Sequence, residues 1–231
     1  MPGTADFFPE MNPVKLDAAF KSLAEFHTAV ADFFPNTQHA VSPTAEQRLE
    51  LLDQGVHDLP KLDDALNRGG KPQEFVDAAT QILAGFRRFH REIRSEIAQV
   101  ATINSPLQPV IRDIHAEHVL FEGERVSGIV DFGAMNIDSI AVDISRLLGS
   151  LAIDDANARR NAICAYESVR PLEAGQIHLV GAFDRASVIL SGMNWLRWIL
   201  LQGRTFDYLS RVLARLRVTC GRLRHLTRTG G

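Results

Sequence analysis

Two aspartates and two histidines in the middle of the chain have the types and spacing to do chemistry together. In the stretch LQPVIRDIHAEHVLFEGERVSGIVDFGAMNIDSIAVDISRLLGSL, residues 107–151, Asp113, His115 and His118 follow an apolar run, and Asp131-Phe132-Gly133 closes a second one. Carboxylates at strand ends suit a divalent cation carried on a phosphate, because hard cations take oxygen ligands. The commonest use of an aspartate near a strand end is to cap its own turn. It is the joint spacing, with Asp143-x-x-Arg146 downstream, that points to a site.

Such residues need elements to hold them. Residues 109–111 read as a short strand and 114–117 as a loop, while 118–121 and 126–130 pair as a hairpin across Glu122-Gly123-Glu124. That hairpin would deliver Asp131 beside Asp113. Around it the chain reads as helical. Asn12 and Pro13 open a helix with the stripe Leu16, Phe20, Leu23, His27, Val30 and Phe34. Ser42-Pro43 opens a second, with Leu49, Leu52 and Val56 inward. A third, over 72–98, carries Phe75, Ala79, Ile82, Phe86, Phe89, Ile93 and Ile97 at helical spacing, with Arg87, Arg88, Arg91 and Arg94 outward. Further helices are expected over 156–168, 173–201 and 206–226.

Asp113-x-His115-x-x-His118, Gly128-Ile-Val-Asp131-Phe132-Gly133 and Asp143-x-x-Arg146 resemble the catalytic core of the aminoglycoside phosphotransferase and choline kinase family. These are small-molecule relatives of protein kinases. The resemblance implies an α+β, mainly α fold, the large C-terminal lobe of such an enzyme, with residues 1–13 as a hinge-like segment and 14–231 as a single domain. It implies ATP-dependent phosphorylation of a small-molecule hydroxyl, with Asp113 as catalytic base and Asp131 and His118 as ligands of Mg²⁺. His115, Asp143 and Arg146 would support them, the last two by bracing the catalytic loop. The family loop reads His-Gly-Asp-x-His-x-x-Asn. Here Ile111 stands for the first His, Arg112 for the Gly and His118 for the Asn. Imidazole suits softer ions than Mg²⁺, so Mn²⁺ enters as an alternative.

The small lobe of that family would bring a Gly-rich loop and a strand lysine. The sequence has no G-x-G-x-x-G, and Lys15, Lys21, Lys61 and Lys71 fall in or beside expected helices. The chain therefore reads as the large lobe alone, which leaves two alternatives open. One is a non-catalytic helical module for interaction or regulation, self-associating through apolar surface around Phe7, Phe8 and the hairpin. The other is a metal-dependent hydrolase with Zn²⁺ or Mn²⁺ on Asp113, His115, His118 and Asp131.

Trp195 and Trp198, three apart on one helix, invite comparison with aromatic boxes for cationic groups, with Asp184 and Asp207 as contacts for such a substrate. Core packing is the plainer reading of both tryptophans. The 231 residues, 45% hydrophobic with net charge −3, exert no global pull on nucleic acid or anionic membrane. The arginines after 204 fall at mixed helical phases and read as a solvated terminal helix or a frayed tail. Cys164 and Cys220 fit free thiols in a reducing cytoplasm. The longest apolar tract is broken by Asp184, Arg185 and Arg197, so it reads as a buried helix rather than a span.

Overall fold

Asn12 starts the described chain by accepting a hydrogen bond from the Val14 amide at 2.8 Å, with Pro13 in the first helical turn, and α1 (Pro13–Asp32) follows. The computed structural model describes residues 12–33, 38–206 and 209–229. Most of the hinge-like segment, with Phe7 and Phe8, and also Phe34 and Asp207 lie outside the described residues. Along α1, Leu16, Phe20, Leu23 and His27 are buried as the stripe predicts, and Val30 is half-buried.

The remaining elements are β1 (Gln38–Val41), α2 (Pro43–Asn67), α3 (Gln73–Val100), β2 (Asn104–Val110), a 3₁₀ turn Ala116–His118, β3 (Val119–Glu122), β4 (Arg125–Ile129) and β5 (Asn136–Ser139). Then come α4 (Ala141–Leu151), α5 (Ala156–Glu167), α6 (Ala174–Leu196), a π-helical turn Arg197–Leu201 and α7 (Leu209–Thr229). The fold is α+β and mainly helical. No described helix is long and apolar enough to cross a membrane. The chain divides into two compact units, residues 1–45 with 99–184, and residues 46–98 with 185–231.

The first unit carries both sheets. The hairpin β3–β4 pairs antiparallel from Val119↔Ile129 to Glu122↔Arg125, with Gly123 in the left-handed region at φ 62° closing the turn. A second, three-stranded antiparallel sheet runs β1-β2-β5, with β2 in the middle. Buried Asp138 on β5 ties this sheet to the start of α2. Its carboxylate accepts from the Ser42 hydroxyl, from the Ser139 amide at 2.8 Å, and from the Thr44 amide and hydroxyl at 3.1 and 2.7 Å.

The second unit is helical. All seven residues of the α3 stripe are buried, and Arg87, Arg88, Arg91 and Arg94 are exposed. On α2 the inward face differs from expectation. Leu52 is buried and Leu49 half-buried, but Val56 is 41% exposed. The reason is Gly55, which takes the inward position: a Cβ there would sit 2.4 Å from the Phe86 ring, so the helix approaches through its glycine.

Candidate active site

The loop after β2 is shaped by one buried carboxylate. Asp143, in the first turn of α4, accepts from the Ile111 amide on Oδ2 and the Arg112 amide on Oδ1, both at 2.7 Å, and from His27 Nε2 at 3.1 Å. Arg112 lies in the left-handed region at φ 67°. A left-handed non-glycine residue costs about 1–2 kcal/mol. A hydrogen bond to a charged group contributes about 1.5–3 kcal/mol, so the two amide bonds outweigh that cost. Arg146, one turn further along α4, donates from Nη2 to Oδ1 of Asp113. Asp143 thus holds the backbone of the turn and Arg146 its side chain, leaving Asp113 half exposed at 50%.

The hairpin brings the second aspartate. Ser150 accepts from the Ala116 amide at 2.7 Å and so fixes the 3₁₀ turn. The Val130 amide donates to the His118 carbonyl at 2.9 Å, extending the ladder to Asp131. There the backbone turns left-handed, φ 66°, and Asp131 Oδ2 lies 3.5 Å from His118 Nε2 with the carboxylate 61% exposed. The His115 and His118 rings lie against each other, 3.7 Å between centroids and tilted by 37°. Nδ1 of His118 is buried without a hydrogen-bond partner.

Among the described residues, no group of three or more His, Cys, Asp or Glu side chains could hold a metal ion. This removes the four-ligand Zn²⁺ site, because Asp113 turns to Arg146 instead. It does not conflict with a cation that arrives on phosphates. Mg²⁺ keeps several waters and needs only one or two carboxylates from the protein, and exposed Asp131 fits that demand.

Of the expected substrate contacts, Asp207 lies outside the described residues and the others have partners within their own unit. Trp195 and Trp198 meet edge to face at 5.2 Å, Phe206 packs on Trp195 at 5.2 Å, and the Arg204 guanidinium lies over the Trp198 ring at 5.1 Å. The chain's own cation therefore covers a face on which a cationic ligand would stack. Asp184 is buried and paired with Arg159 at 2.7 Å. The terminal arginines are partly tied down too, Arg217 to Glu74 and Arg224 to Gln81.

Four residues beyond the expected set complete the site's support. His27, read as stripe, is fully buried with Nδ1 2.7 Å from the Tyr166 hydroxyl. Burial lowers the His27 pKa below the usual imidazole range, although Asp143 pulls it upward, and burial raises that of Tyr166. The His27 carbonyl accepts from Gln108 Nε2 at 2.8 Å and Arg170 Nη1 at 2.6 Å, and Arg170 Nη2 donates to Gln108 Oε1 at 2.7 Å. A polar residue in an otherwise apolar stripe was the available signal for His27; nothing local marks Tyr166.

Comparison with known proteins finds that the model of the "Phosphotransferase enzyme family" matches residues 4–176. A homoserine kinase of Hyphomonas neptunium is 26% identical over 168 residues, 68% of this chain and 45% of the relative. One of Parvibaculum lavamentivorans is 30% identical over 82 residues, 33% of this chain and 26% of that protein. The chain thus spans less than half the length of these relatives. Among solved structures, an aminoglycoside phosphotransferase from Alicyclobacillus acidocaldarius aligns with TM-score 0.60 at 14% identity, over 98% of this chain and 67% of the other. A glucosamine kinase in complex with glucosamine, ADP and inorganic phosphate aligns with TM-score 0.56 at 16% identity, over 93% and 51%.

Proposed function

The chain belongs to the phosphotransferase enzyme family, and from that premise we propose that it serves ATP-dependent transfer of a phosphoryl group to a hydroxyl of a small molecule. The observation that carries this reading is the bracing of one turn from one helix, Asp143 on the Ile111 and Arg112 amides and Arg146 on Asp113. In phosphoryl transfer the protein mostly positions groups and neutralises charge, so a fixed, half-exposed carboxylate is the feature to expect.

Asp113 is the catalytic base. Arg146 engages Oδ1, and the carboxylate orients the acceptor hydroxyl and takes its proton as that oxygen bonds to the γ-phosphorus and the bond to ADP breaks. Asp131, with His118 beside it, would hold Mg²⁺, and the cation would supply charge neutralisation at the phosphates when bound. Mn²⁺ is the alternative, favoured by the imidazole of His118. His115 packs against His118 and steadies its ring. ATP use and the two free thiols, exposed Cys164 and buried Cys220, fit a cytoplasmic protein.

Homoserine is the first acceptor to try, after the relatives' name, and glucosamine the second, after the structural neighbour. The test is ADP release from Mg·ATP with each acceptor, for the wild type and Asp113→Asn. Loss of a general base should lower turnover by roughly 10²–10⁴-fold. Turnover that Asp113→Asn leaves intact would remove Asp113 from this role.

A further inference from the structure

His27 joins a cluster of four polar side chains behind the site. Its Nε2 faces the Asp143 carboxylate at 3.1 Å and its Nδ1 the Tyr166 hydroxyl at 2.7 Å, while its carbonyl takes donors from Gln108 and Arg170. A core residue need only pack. One gripped at both ends has its place set by hydrogen bonds.

The chemistry of the partners selects one protonation pattern. An ionised carboxylate only accepts, so the ring nitrogen facing Asp143 carries the proton. Nδ1 then holds a lone pair, and the Tyr166 hydroxyl donates to it. The opposite tautomer would set a lone pair against a carboxylate in a site with no exposure to water.

We infer that His27 is a positioning residue for the site: as the Nε2–H tautomer, locked by Tyr166, it holds the Asp143 carboxylate against the Ile111 and Arg112 amides and so aims Asp113. The kinetic consequence rests on Asp113 being the catalytic base; the structural consequence does not. Without His27, Oδ2 of Asp143 keeps only the Ile111 amide. The carboxylate can then swing, and the left-handed turn at Arg112 loses the restraint that outweighs its strain.

The experiment uses the ¹⁵N-labelled full chain. Long-range proton–nitrogen correlation of the His27 ring at neutral pH reads the tautomer, and hydrogen exchange reads the Ile111 and Arg112 amides. The wild type should show Nε2–H alone, and Tyr166→Phe should admit the Nδ1–H form. His27→Ala should speed exchange of both amides by roughly tenfold or more, the counterpart of losing one charge-assisted hydrogen bond. His27→Gln, whose side-chain amide can still donate to Asp143, should restore most of that protection. In the ADP-release assay His27→Ala should lower kcat and leave KM for ATP nearly unchanged.

An Nδ1–H or doubly protonated ring in the wild type would overturn the inference, as would unaltered amide exchange in His27→Ala. Should His27→Ala not fold, the wild-type tautomer and its response to Tyr166→Phe decide. A chain with no phosphotransfer sinks the proposed function while these spectroscopic readings still judge His27. Turnover abolished by Asp113→Asn but untouched by His27→Ala sinks the inference and leaves the function standing.

Discussion

The two compact units are held together by opposite means. In the unit that carries the site, two fully buried carboxylates, Asp138 and Asp143, are each surrounded by backbone and side-chain donors. In the other, helices close on one another through glycines: Gly55 against Phe86, Gly85 against Leu223, and Gly192 against Ile82 and Thr219. Most of its ion pairs lie at the surface, as in Arg94–Asp53, Arg87–Asp63 and Arg217–Glu74. Among the described residues, its pair Asp58–Arg197 is more deeply buried. Hydrogen bonds have direction and dispersion does not, so a polar core can hold a strained loop at a set angle where an apolar one only fills space. The site sits in the unit whose interior specifies geometry.

The largest effect should follow from emptying one of the buried carboxylates. Asp138→Ala leaves the Ser42 and Thr44 hydroxyls and the Thr44 and Ser139 amides without their acceptor in a buried setting. Each orphaned donor costs on the order of 1–3 kcal/mol, and we expect a total loss of about 3–5 kcal/mol in urea unfolding. A loss below about 1 kcal/mol would mean that water replaces the carboxylate, and the contrast between units would weaken.

The second unit should break by addition rather than removal. In Gly55→Ala the new methyl meets the Phe86 ring at 2.4 Å, and that ring is fully buried and cannot yield freely. Overpacking costs about 1–3 kcal/mol, against which helix propensity returns about 1 kcal/mol, so a net loss of about 1–2 kcal/mol is expected. Gly221→Ala on α7 is the control. Its nearest atom is the Arg224 guanidinium at 4.0 Å, so the same methyl should stabilise by about 0.5–1 kcal/mol. Equal effects at both positions would refute close packing through glycine.

How far these interiors were legible depends on whether the signal is local. The α3 stripe was, because seven apolar residues at helical spacing state a period on their own. The hairpin was, because Gly123 marks its turn. Strands β1 and β5 were not: QHAV and NIDS are four residues each without alternation. Of β2 only the end reads as a strand, because Pro106 and Pro109 each remove a ladder donor and mask its start and its central place in the sheet. At the site, Asp113, Asp143 and Arg146 announce themselves by spacing, whereas the His27–Tyr166 contact joins residues 139 apart and no window contains both. The partner of Asp184, Arg159, lies on another helix, so no local window shows that pair either.

A third test depends on pH. Burial holds the folded His27 pKa below its unfolded value of about 6.5. As pH falls through that value the unfolded chain takes up a proton that the folded chain refuses. Stability present above about pH 6.5 is therefore lost as pH drops towards and through the folded value. His27→Gln has no such group, so the gap between wild type and variant should change between pH 7.5 and 5.5, always against the wild type on the acid side. A gap independent of pH would show that His27 is not the neutral centre of a dry network.

The smallest effect belongs to the surface of the second unit. Arg94 grips Asp53 with two donors, Nε at 2.6 Å and Nη2 at 2.9 Å, and both side chains are nearly half exposed. The arginine's hydrogen bonds hold the Asp53 carboxyl below the usual carboxylate range, so what the pair contributes is present above that range and lost as pH falls through the depressed value. In water, solvent screening and the entropy of two long side chains reduce it, and a double-mutant cycle with Arg94→Ala and Asp53→Ala should give a coupling below about 1 kcal/mol. Raising the salt concentration should shrink it further, since screening lengths fall to a few ångströms. A coupling that matched the loss in Asp138→Ala and ignored salt would mean that this unit, too, is fastened by directed charges, and the division of labour between a specifying interior and a filling one would not hold.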